Sequence, residues 1–320
     1  MQLRVAVLLA TYNGALFIAD QIQSLAANST PFTVHWLDDH STDNTRELVS
    51  TSARVAGVEL REWHQDQRQG IPGVFFKLLE CVSADIYLFC DQDDIWQPGK
   101  IDATIKSLLP DRGQPALVYS DPLVFSDGQP DALRRFTAIR GVDPYNNFEE
   151  SRVFTYTPAM GHTIGFTRAL RDVFLKHLDI AREYAFAHDF WMYMIASACG
   201  TSRMLSDVPT TLYRLHGGNT FGLIPQKTSV VAHVKRMWAI HQKARRWYSR
   251  QAQGFCRAYS TLPTGPKLER LRAVAERVAR LDRRQSPAAV IRLLTCKALP
   301  PIRQRRFWFA VTSLCSHSKL

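Results

Sequence analysis

Four apolar runs of strand length constrain this chain more than anything else in it, because three of them end in a polar cluster. Residues 3–10, LRVAVLLA, run into Thr11-Tyr12-Asn13. Residues 32–37 end at Asp38-Asp39, 58–63 form a third run, and 86–90 end in Asp91-Gln92-Asp93-Asp94. Between them lie segments of helical character. Residues 15–27 space Leu16, Ile18, Ile22 and Leu25 near the helical period, 44–56 follow a Ser41-Thr42-Asp43 N-cap signal, and 73–82 form a third helix. Strands alternating with helices predict a parallel sheet covered on both faces. Such sheets bind ligands beyond the carboxyl ends of their strands. The three polar clusters therefore fall on one rim and predict a site there.

The second half is less regular. A strand is expected over 116–120, and a surface excursion over 127–147, which is rich in Gly, Pro, Asp and Asn. A strand at 161–167, a helix at 168–178 and an apolar helix at 188–199 opened by Asp189 follow, then a strand over 211–219 that carries Arg214-Leu215-His216-Gly217-Gly218-Asn219. After Pro225 the texture changes to basic helices at 228–251 and 266–284, with shorter ones at 292–299 and 303–314. Two regions are expected: a domain over 1–226 and a basic helical extension over 227–320.

Charge sharpens that division. The chain has 320 residues and a net charge of +11, but residues 227–320 hold 21 Lys/Arg against 3 Asp/Glu, which leaves −7 on the first 226. The composition is that of a globular protein. None of the six cysteines lies in a C-x-x-C pair, so reduced, packed thiols are expected and a zinc site is not. No run reaches the roughly 18 apolar residues of a membrane span. The N-terminal run is short and lacks a small-residue cleavage site, so it reads as a buried strand of a cytosolic protein.

Clustered carboxylates repel one another unless a cation offsets them. Oxygen donors favour Mg2+ or Mn2+, and Mg2+ usually bridges a few carboxylates to the phosphates of a ligand. A phosphorylated partner is thus implied. Neither G-x-x-x-x-G-K-[ST] nor G-x-G-x-x-G after the first strand is present, which disfavours ATP on a P-loop and NAD on a Rossmann turn.

Five ordered blocks, VAVLLATYNGALFIADQIQSL, HWLDDHSTDNT, LFCDQDDIWQPGKI, AHDFWMYMIASACG and YRLHGGNTFG, resemble the family 2 glycosyltransferases. The nearer likeness is to the bacterial rhamnosyltransferase-like branch that builds surface polysaccharides. The resemblance covers residues 3–222. It implies an α/β GT-A fold and an inverting transfer from a nucleotide-sugar donor (a dTDP- or UDP-sugar, rhamnose from dTDP-rhamnose in this branch) to a saccharide or lipid-linked acceptor. It also implies Mn2+ or Mg2+ as cofactor. By the same resemblance Thr11, Tyr12 and Asn13 line the nucleotide, Asp39 hydrogen-bonds the pyrimidine, Asp38 supports the turn and Gly70 belongs to a donor-binding block. Asp93 is the direct metal ligand, Asp91 meets ribose or metal-bound water, and His216 closes over metal and diphosphate. Asp189 falls at the catalytic base. An inverting displacement needs one base for the incoming hydroxyl, and a carboxylate at a helix start is expected to stay ionised at pH 7.

Plainer roles stand beside these. Asp189 also reads as an N-cap, His216 as a turn residue and Asp43 as an N-cap. Asp94 and Trp96 are structural or acceptor-facing. His188 either orients Asp189 or the acceptor or is itself the base, and Trp191 and Tyr193 either stack on a sugar or pack the core. Two departures from the family pattern are visible. His40 stands where glycine is usual, and Val74-Phe75 replaces a more polar pair, with consequences expected for the approach of diphosphate or acceptor. The Q-x-x-R-W motif of processive members is absent, so one sugar is expected per visit. A nucleotidyl- or phosphoryl-transferase using the same acids, and a non-catalytic nucleotide-sugar-binding protein, are the alternatives.

The basic extension interleaves cations with Trp238, Trp247, Tyr248, Phe307, Trp308 and Phe309. No nucleic-acid module is visible, so RNA or DNA is disfavoured as a partner. Arg303, Arg305 and Arg306 before FWFAVTSL fit an anchor on the cytosolic membrane leaflet. A solvated helical bundle or a homo-oligomer surface is the alternative.

Overall fold

The computed structural model describes residues 3–127, 129–140, 152–205, 210–217 and 230–281. The first half alternates as expected: β1 (Val5–Thr11), α1 (Ile18–Ala26), β2 (Thr33–Asp38), α2 (Thr45–Ala56), β3 (Leu60–Trp63), α3 (Gly70–Cys81) and β4 (Ile86–Cys90). A short β5 (Ile95–Trp96) and α4 (Lys100–Leu108) lead to β6 (Ala116–Tyr119). Then come β7 (Leu123–Ser126), β8 (Gln129–Arg135), α5 (Phe136–Arg140), β9 (Gly165–Thr167), α6 (Arg168–Leu175), α7 (Leu178–Tyr184), α8 (His188–Cys199), β10 (Thr201–Met204) and β11 (Thr211–Arg214). The long α9 (Val230–Ala258) and α10 (Pro266–Val278) follow.

Seven strands form the main sheet in the order β10-β6-β9-β4-β1-β2-β3, all parallel except β9. The alternation of side chains along a strand explains its two cores. From β1, Ala6, Leu8 and Ala10 face one core, shared with α3 and α8; Val5, Val7 and Leu9 face the other, shared with α1, α2 and α4. β4 divides in the same way, Tyr87 and Phe89 to one side and Ile86, Leu88 and Cys90 to the other. A run buried on both faces has no room for polar alternation, which is why these strands read as continuous apolar segments. Because β9 is antiparallel, the segment entering it, Gly161–Thr163, arrives at the rim where the parallel strands end.

Four expectations are corrected. The 127–147 excursion begins as a hairpin: β7 and β8 pair antiparallel and join β5 and β11 in a second sheet, β5-β11-β7-β8. Residues 141–147 lie outside the described residues. The strand expected over 161–167 shrinks to β9, with a 3-10 turn before it. The helix expected over 168–178 stops at Leu175, and α7 was not foreseen. β10 was missed too; its four residues are all half-buried, so no apolar alternation marks it.

The described part of the basic extension packs on the domain. Ala252, Phe255 and Ala258 of α9 and Leu268, Leu271, Val274 and Val278 of α10 enter the same core as Trp191 and Met192 of α8. The arginines of α10 (Arg270, Arg272, Arg277) stay on its exposed side. No described helix is long and apolar enough to cross a membrane. The helices expected at 292–299 and 303–314 lie outside the described residues, as do the cysteines beyond Cys256; the strand expected over 211–219 stops at Arg214, and residues 218–219 of it also lie outside.

Candidate active site

Loops from the ends of β1, β2 and β4 do converge on one rim. Thr11 is buried and aligned with Asp38 across the β1–β2 ladder. Its hydroxyl donates to Asp38 Oδ1 at 2.7 Å and accepts from Trp36 Nε1 at 2.9 Å. Asp38 also accepts from Ser41 N and Oγ at 2.8 and 2.6 Å, so its carboxylate braces the turn from inside. The next residues adopt left-handed backbone: Asn13 at φ 47° and His40 at φ 66°. Histidine thus holds the conformation that glycine would supply, with its Nε2 3.1 Å from the Gln65 carbonyl oxygen. Asn13 is a loop staple: its N–H donates to Ser41 Oγ at 2.9 Å and its Oδ1 accepts from Thr42 N at 2.8 Å. Asp43 accepts from Thr45 N and from Ala15 N, tying α2 to the same loop.

Asp39 is buried and organises residues 65–70. Its Oδ1 accepts from Gln65 Nε2 at 2.6 Å and Gln69 N at 2.8 Å, and its Oδ2 from Gly70 N at 2.8 Å. Gly70 earns its place through φ +64°, which lets its N–H reach that carboxylate. Arg68 lies 3.5 Å from Asp39 Oδ2 and sits 3.6 Å from the centre of the Tyr12 ring.

At the end of β4, Asp91 and Asp93 are half-buried and Asp94 is buried. His216, 123 residues on from Asp93, meets it with Nε2 2.9 Å from Oδ2, its ring against Phe17. Asp94 turns inward. Its Oδ1 accepts from Arg214 N at 3.2 Å, and its Oδ2 lies 3.0 Å from His162 Nδ1 but out of line for a hydrogen bond. Arg214 donates to the Asp93 carbonyl, Asp127 and Asp20, joining β11 to the acidic loop, the β7–β8 turn and α1. Beneath the acids lies Lys100, fully buried: Nζ donates to His162 C=O at 2.6 Å and Thr211 Oγ1 at 3.0 Å and sits 3.5 Å over Trp96. Burial pulls its ammonium down to about 7, against the pull of Asp94 and Asp91. Burial first, then Asp93 and Asp189, push the Asp91 carboxyl up to about 8.

Asp189 stands in the first turn of α8, two residues past the N-cap position Ala187, so the N-cap reading is corrected. Its Oδ1 accepts from Phe190 N at 2.6 Å and its Oδ2 from Gly161 N at 3.1 Å. Burial nonetheless outweighs these bonds and raises its carboxyl to about 6, so the helix start does not hold it in the ordinary range. It remains mainly ionised at pH 7. Its bond to Gly161 N ties it to the turn whose next residue, His162, lies 3.0 Å from Asp94, and so brings it to the rim that carries the acids.

The acceptor-side assignments do not survive. Trp96 and Trp191 are buried, one under Lys100 and one in the α8–α9 core, so neither offers a face to a sugar. Tyr193 is buried edge-on to Tyr119. His188 is stacked on Phe75 at 3.9 Å and edge-on to Phe89, with neither ring nitrogen hydrogen-bonded among the described residues. Burial drops it to about 3, so it is neither a base at neutral pH nor an orienter of Asp189. Val74-Phe75 is buried as well, and Phe75 is the platform for His188 rather than a wall of the approach.

Among the described residues no three His, Cys, Asp or Glu side chains stand close enough to hold an ion by themselves. Asp93 and His216 supply an oxygen and a nitrogen 2.9 Å apart, and Asp91, its carboxyl raised first by burial and then by Asp93 and Asp189, would be drawn back toward its charged form by a cation. That donor set fits Mg2+ or Mn2+ completed by diphosphate oxygens rather than a protein cage. Sequence reasoning missed Lys100, Gln92, Arg214 and Arg68; only Lys100 left a hint, as a lone cation closing the acidic stretch.

A largely parallel sheet whose strand ends gather acids on one rim, opposite a carboxylate at a helix start, defines the GT-A class of nucleotide-sugar transferases. The chain belongs to glycosyl transferase family 2, whose model matches residues 6–178, and is a glycosyltransferase. It is 26% identical over 251 residues to dTDP-rhamnosyl transferase RfbG of Shigella flexneri, covering 76% of this chain and 81% of that one. An uncharacterized glycosyltransferase of Nostoc, alr2836, is 27% identical over 105 residues, 32% of each chain. Among solved structures, the mannosyltransferase PcManGT of Pyrobaculum calidifontis, in complex with GDP-Man and Mn2+, superposes with TM-score 0.57 at 17% identity, covering 99% of this chain and 89% of that one. S. aureus TarS 1-349 with UDP-GlcNAc gives 0.51 at 16% identity, covering 98% and 91%.

Proposed function

We propose that the protein is a metal-dependent inverting rhamnosyltransferase that uses dTDP-rhamnose and a saccharide acceptor, lipid-linked, in surface-polysaccharide synthesis. The observation that carries this reading is the placement of Asp189 on the same rim as Asp91, Asp93 and His216. One carboxylate is thereby available to the acceptor while the acids face the diphosphate. The likeness to a dTDP-rhamnosyl transferase supports the donor, and the Mn2+ of the mannosyltransferase complex supports the cofactor.

In this scheme Asp93 and His216 would hold Mn2+ or Mg2+, and Asp91 would meet the ribose or support the ion from beside them. When bound, the metal stabilises the charge that develops on the leaving diphosphate. Thr11, Tyr12, Asn13, Asp39 and Gly70 shape the nucleoside end. Asp189 takes the proton of the acceptor hydroxyl as that oxygen attacks the sugar carbon from the side opposite the diphosphate, and inversion follows. The amides of Phe190 and Gly161 keep its carboxylate aimed. The protein works at the cytosolic leaflet, where the exposed arginines of α10 face anionic lipid.

The test uses purified protein, Mn2+ and a panel of dTDP- and UDP-sugars. Release of dTDP from dTDP-rhamnose, dependent on acceptor and lost in Asp189→Asn, supports the reading. Release of pyrophosphate or inorganic phosphate instead indicates a nucleotidyl- or phosphoryl-transferase. Donor binding without any turnover indicates a binding protein.

A further inference from the structure

The residue between the two aspartates of the D-x-D stretch has work of its own. Gln92 turns back across the rim to the loop after β1, where its Oε1 accepts from Tyr12 N at 2.8 Å and its Nε2 donates to Tyr12 C=O at 3.0 Å. Only a carboxamide carries one acceptor and one donor in a plane at the spacing of a peptide group, so the side chain pairs with the Tyr12 backbone as a neighbouring strand would. The loop is shaped to receive it. A Cβ on Gly14 would stand 2.3 Å from Oε1 and 2.5 Å from Cδ, so only glycine lets the carboxamide lie flat there.

The rest of the loop is anchored elsewhere. Asn13 N donates to Ser41 Oγ, Gly14 N to Thr45 Oγ1 and Ala15 N to Asp43, all on the stretch that leads from β2 into the first residue of α2. Among the described residues no other hydrogen bond joins residues 12–15 to residues 91–94. Gln92 is therefore the polar link between the loop that carries Tyr12 and the loop that carries Asp91 and Asp93. It also occupies both backbone groups of Tyr12, leaving the ring as what that residue offers a ligand.

We propose that Gln92 is a positioning residue that fastens the nucleoside-side loop to the acidic loop, so that both ends of a nucleoside diphosphate are gripped by one rigid unit. The inference rests on the donor reading above. Two weak contacts held at a fixed separation bind a linked ligand far better than two that drift. Loss of the link is felt by the whole nucleotide and little by either half.

The experiment is calorimetric titration of the full-length protein with dTDP and UDP in the presence of Mn2+, with thymidine and uridine as half-ligands. Gln92→Ala is expected to weaken the diphosphate that the parent binds by about 10-fold or more, the size of two lost hydrogen bonds. It should leave the matching nucleoside within about 3-fold, well under the factor that one hydrogen bond represents. Gly14→Ala, which forces the carboxamide away, should weaken the diphosphate in the parent yet do little in the Gln92→Ala background, where the Cβ has room. This non-additivity is the signature of direct contact, which a general loss of stability would not reproduce. Gln92→Glu keeps side-chain length but sets a carboxylate oxygen against the Tyr12 carbonyl and adds charge beside Asp91 and Asp93, and should weaken the diphosphate at least as much as alanine does. A parent that binds neither diphosphate overturns the donor reading and this inference with it. A parent that binds one of them, with Gln92→Ala equally tight or with the two effects multiplying, overturns the role of Gln92 alone.

Discussion

Replacing Asp189 by asparagine separates a base from a carboxylate that only tethers Phe190 N and Gly161 N, because a base loses turnover while the fold keeps its stability. The folded carboxyl titrates at about 6 instead of the ordinary 3.8, a difference worth about 3 kcal/mol at most. The sign follows from linkage. The folded state binds more protons than the unfolded state between these two values, so this contribution is fully favourable below pH 3.8 and is lost as pH rises through 6. Above pH 7 the ionised parent carries the whole cost, and asparagine does not. Against this gain, asparagine offers one acceptor oxygen where the carboxylate serves both Phe190 N and Gly161 N, so one amide loses its partner at about 1–2 kcal/mol. The variant should thus be as stable as the parent, or about 1 kcal/mol more stable, at pH 7.5, and lose that advantage near pH 4. Turnover should fall by about 100-fold or more, the usual contribution of a positioned base. Urea unfolding at the two pH values and an assay of donor consumption measure both. A variant that retains turnover would show Asp189 to tether Phe190 N and Gly161 N without serving as the base, and would refute the argument.

The parent's kcat/KM should hold level above pH 7 and fall about tenfold per pH unit well below 6, as the Asp189 carboxylate is protonated; a profile flat down to pH 5 excludes Asp189 as the base. Asp93→Ala should lower donor affinity in Mn2+ by about tenfold, the size of a lost charge-assisted contact, and erase its response to the ion; an unchanged Mn2+ titration removes Asp93 from the metal site. Thr11→Val leaves Trp36 Nε1 without its acceptor and Asp38 short of a donor, and should cost about 2–4 kcal/mol in urea unfolding. Gly200→Ala puts a Cβ 1.7 Å from the Pro115 carbonyl oxygen, which belongs to rigid backbone, and should cost about 3 kcal/mol by the same measurement.

What could be read from the letters follows from what each element leans on. β1, β4 and α8 were legible because burial on all sides writes itself as an unbroken apolar run. β9 was legible only in part: it has three residues, and its direction is set by partners on β4 and β6 some 50–80 positions away. The β7–β8 hairpin was obscured by the turn residues that flank it. Within the site, the D-x-D stretch and His216 were recognisable from their blocks, and the fold brings Asp93 and His216 together. Tryptophan beside acids reads equally as a sugar platform or as core, and for Trp96 and Trp191 only the packing decided. Gln92 was passed over because a D-x-D reading treats its middle residue as a spacer, and Lys100 because nothing in a sequence says that a lysine at a helix start points inward.

A transferase has to pass through a vacant interval after every turnover, when the diphosphate and any ion that travels with it have gone. Lys100 gives the vacated rim a tenant that cannot depart: its Nζ is moored to His162 and Thr211 and, with its ammonium pulled down to about 7, it can take up a proton as a cation above it leaves. The floor therefore tempers the mutual repulsion above it in the resting enzyme, so the mouth can be emptied without being undone.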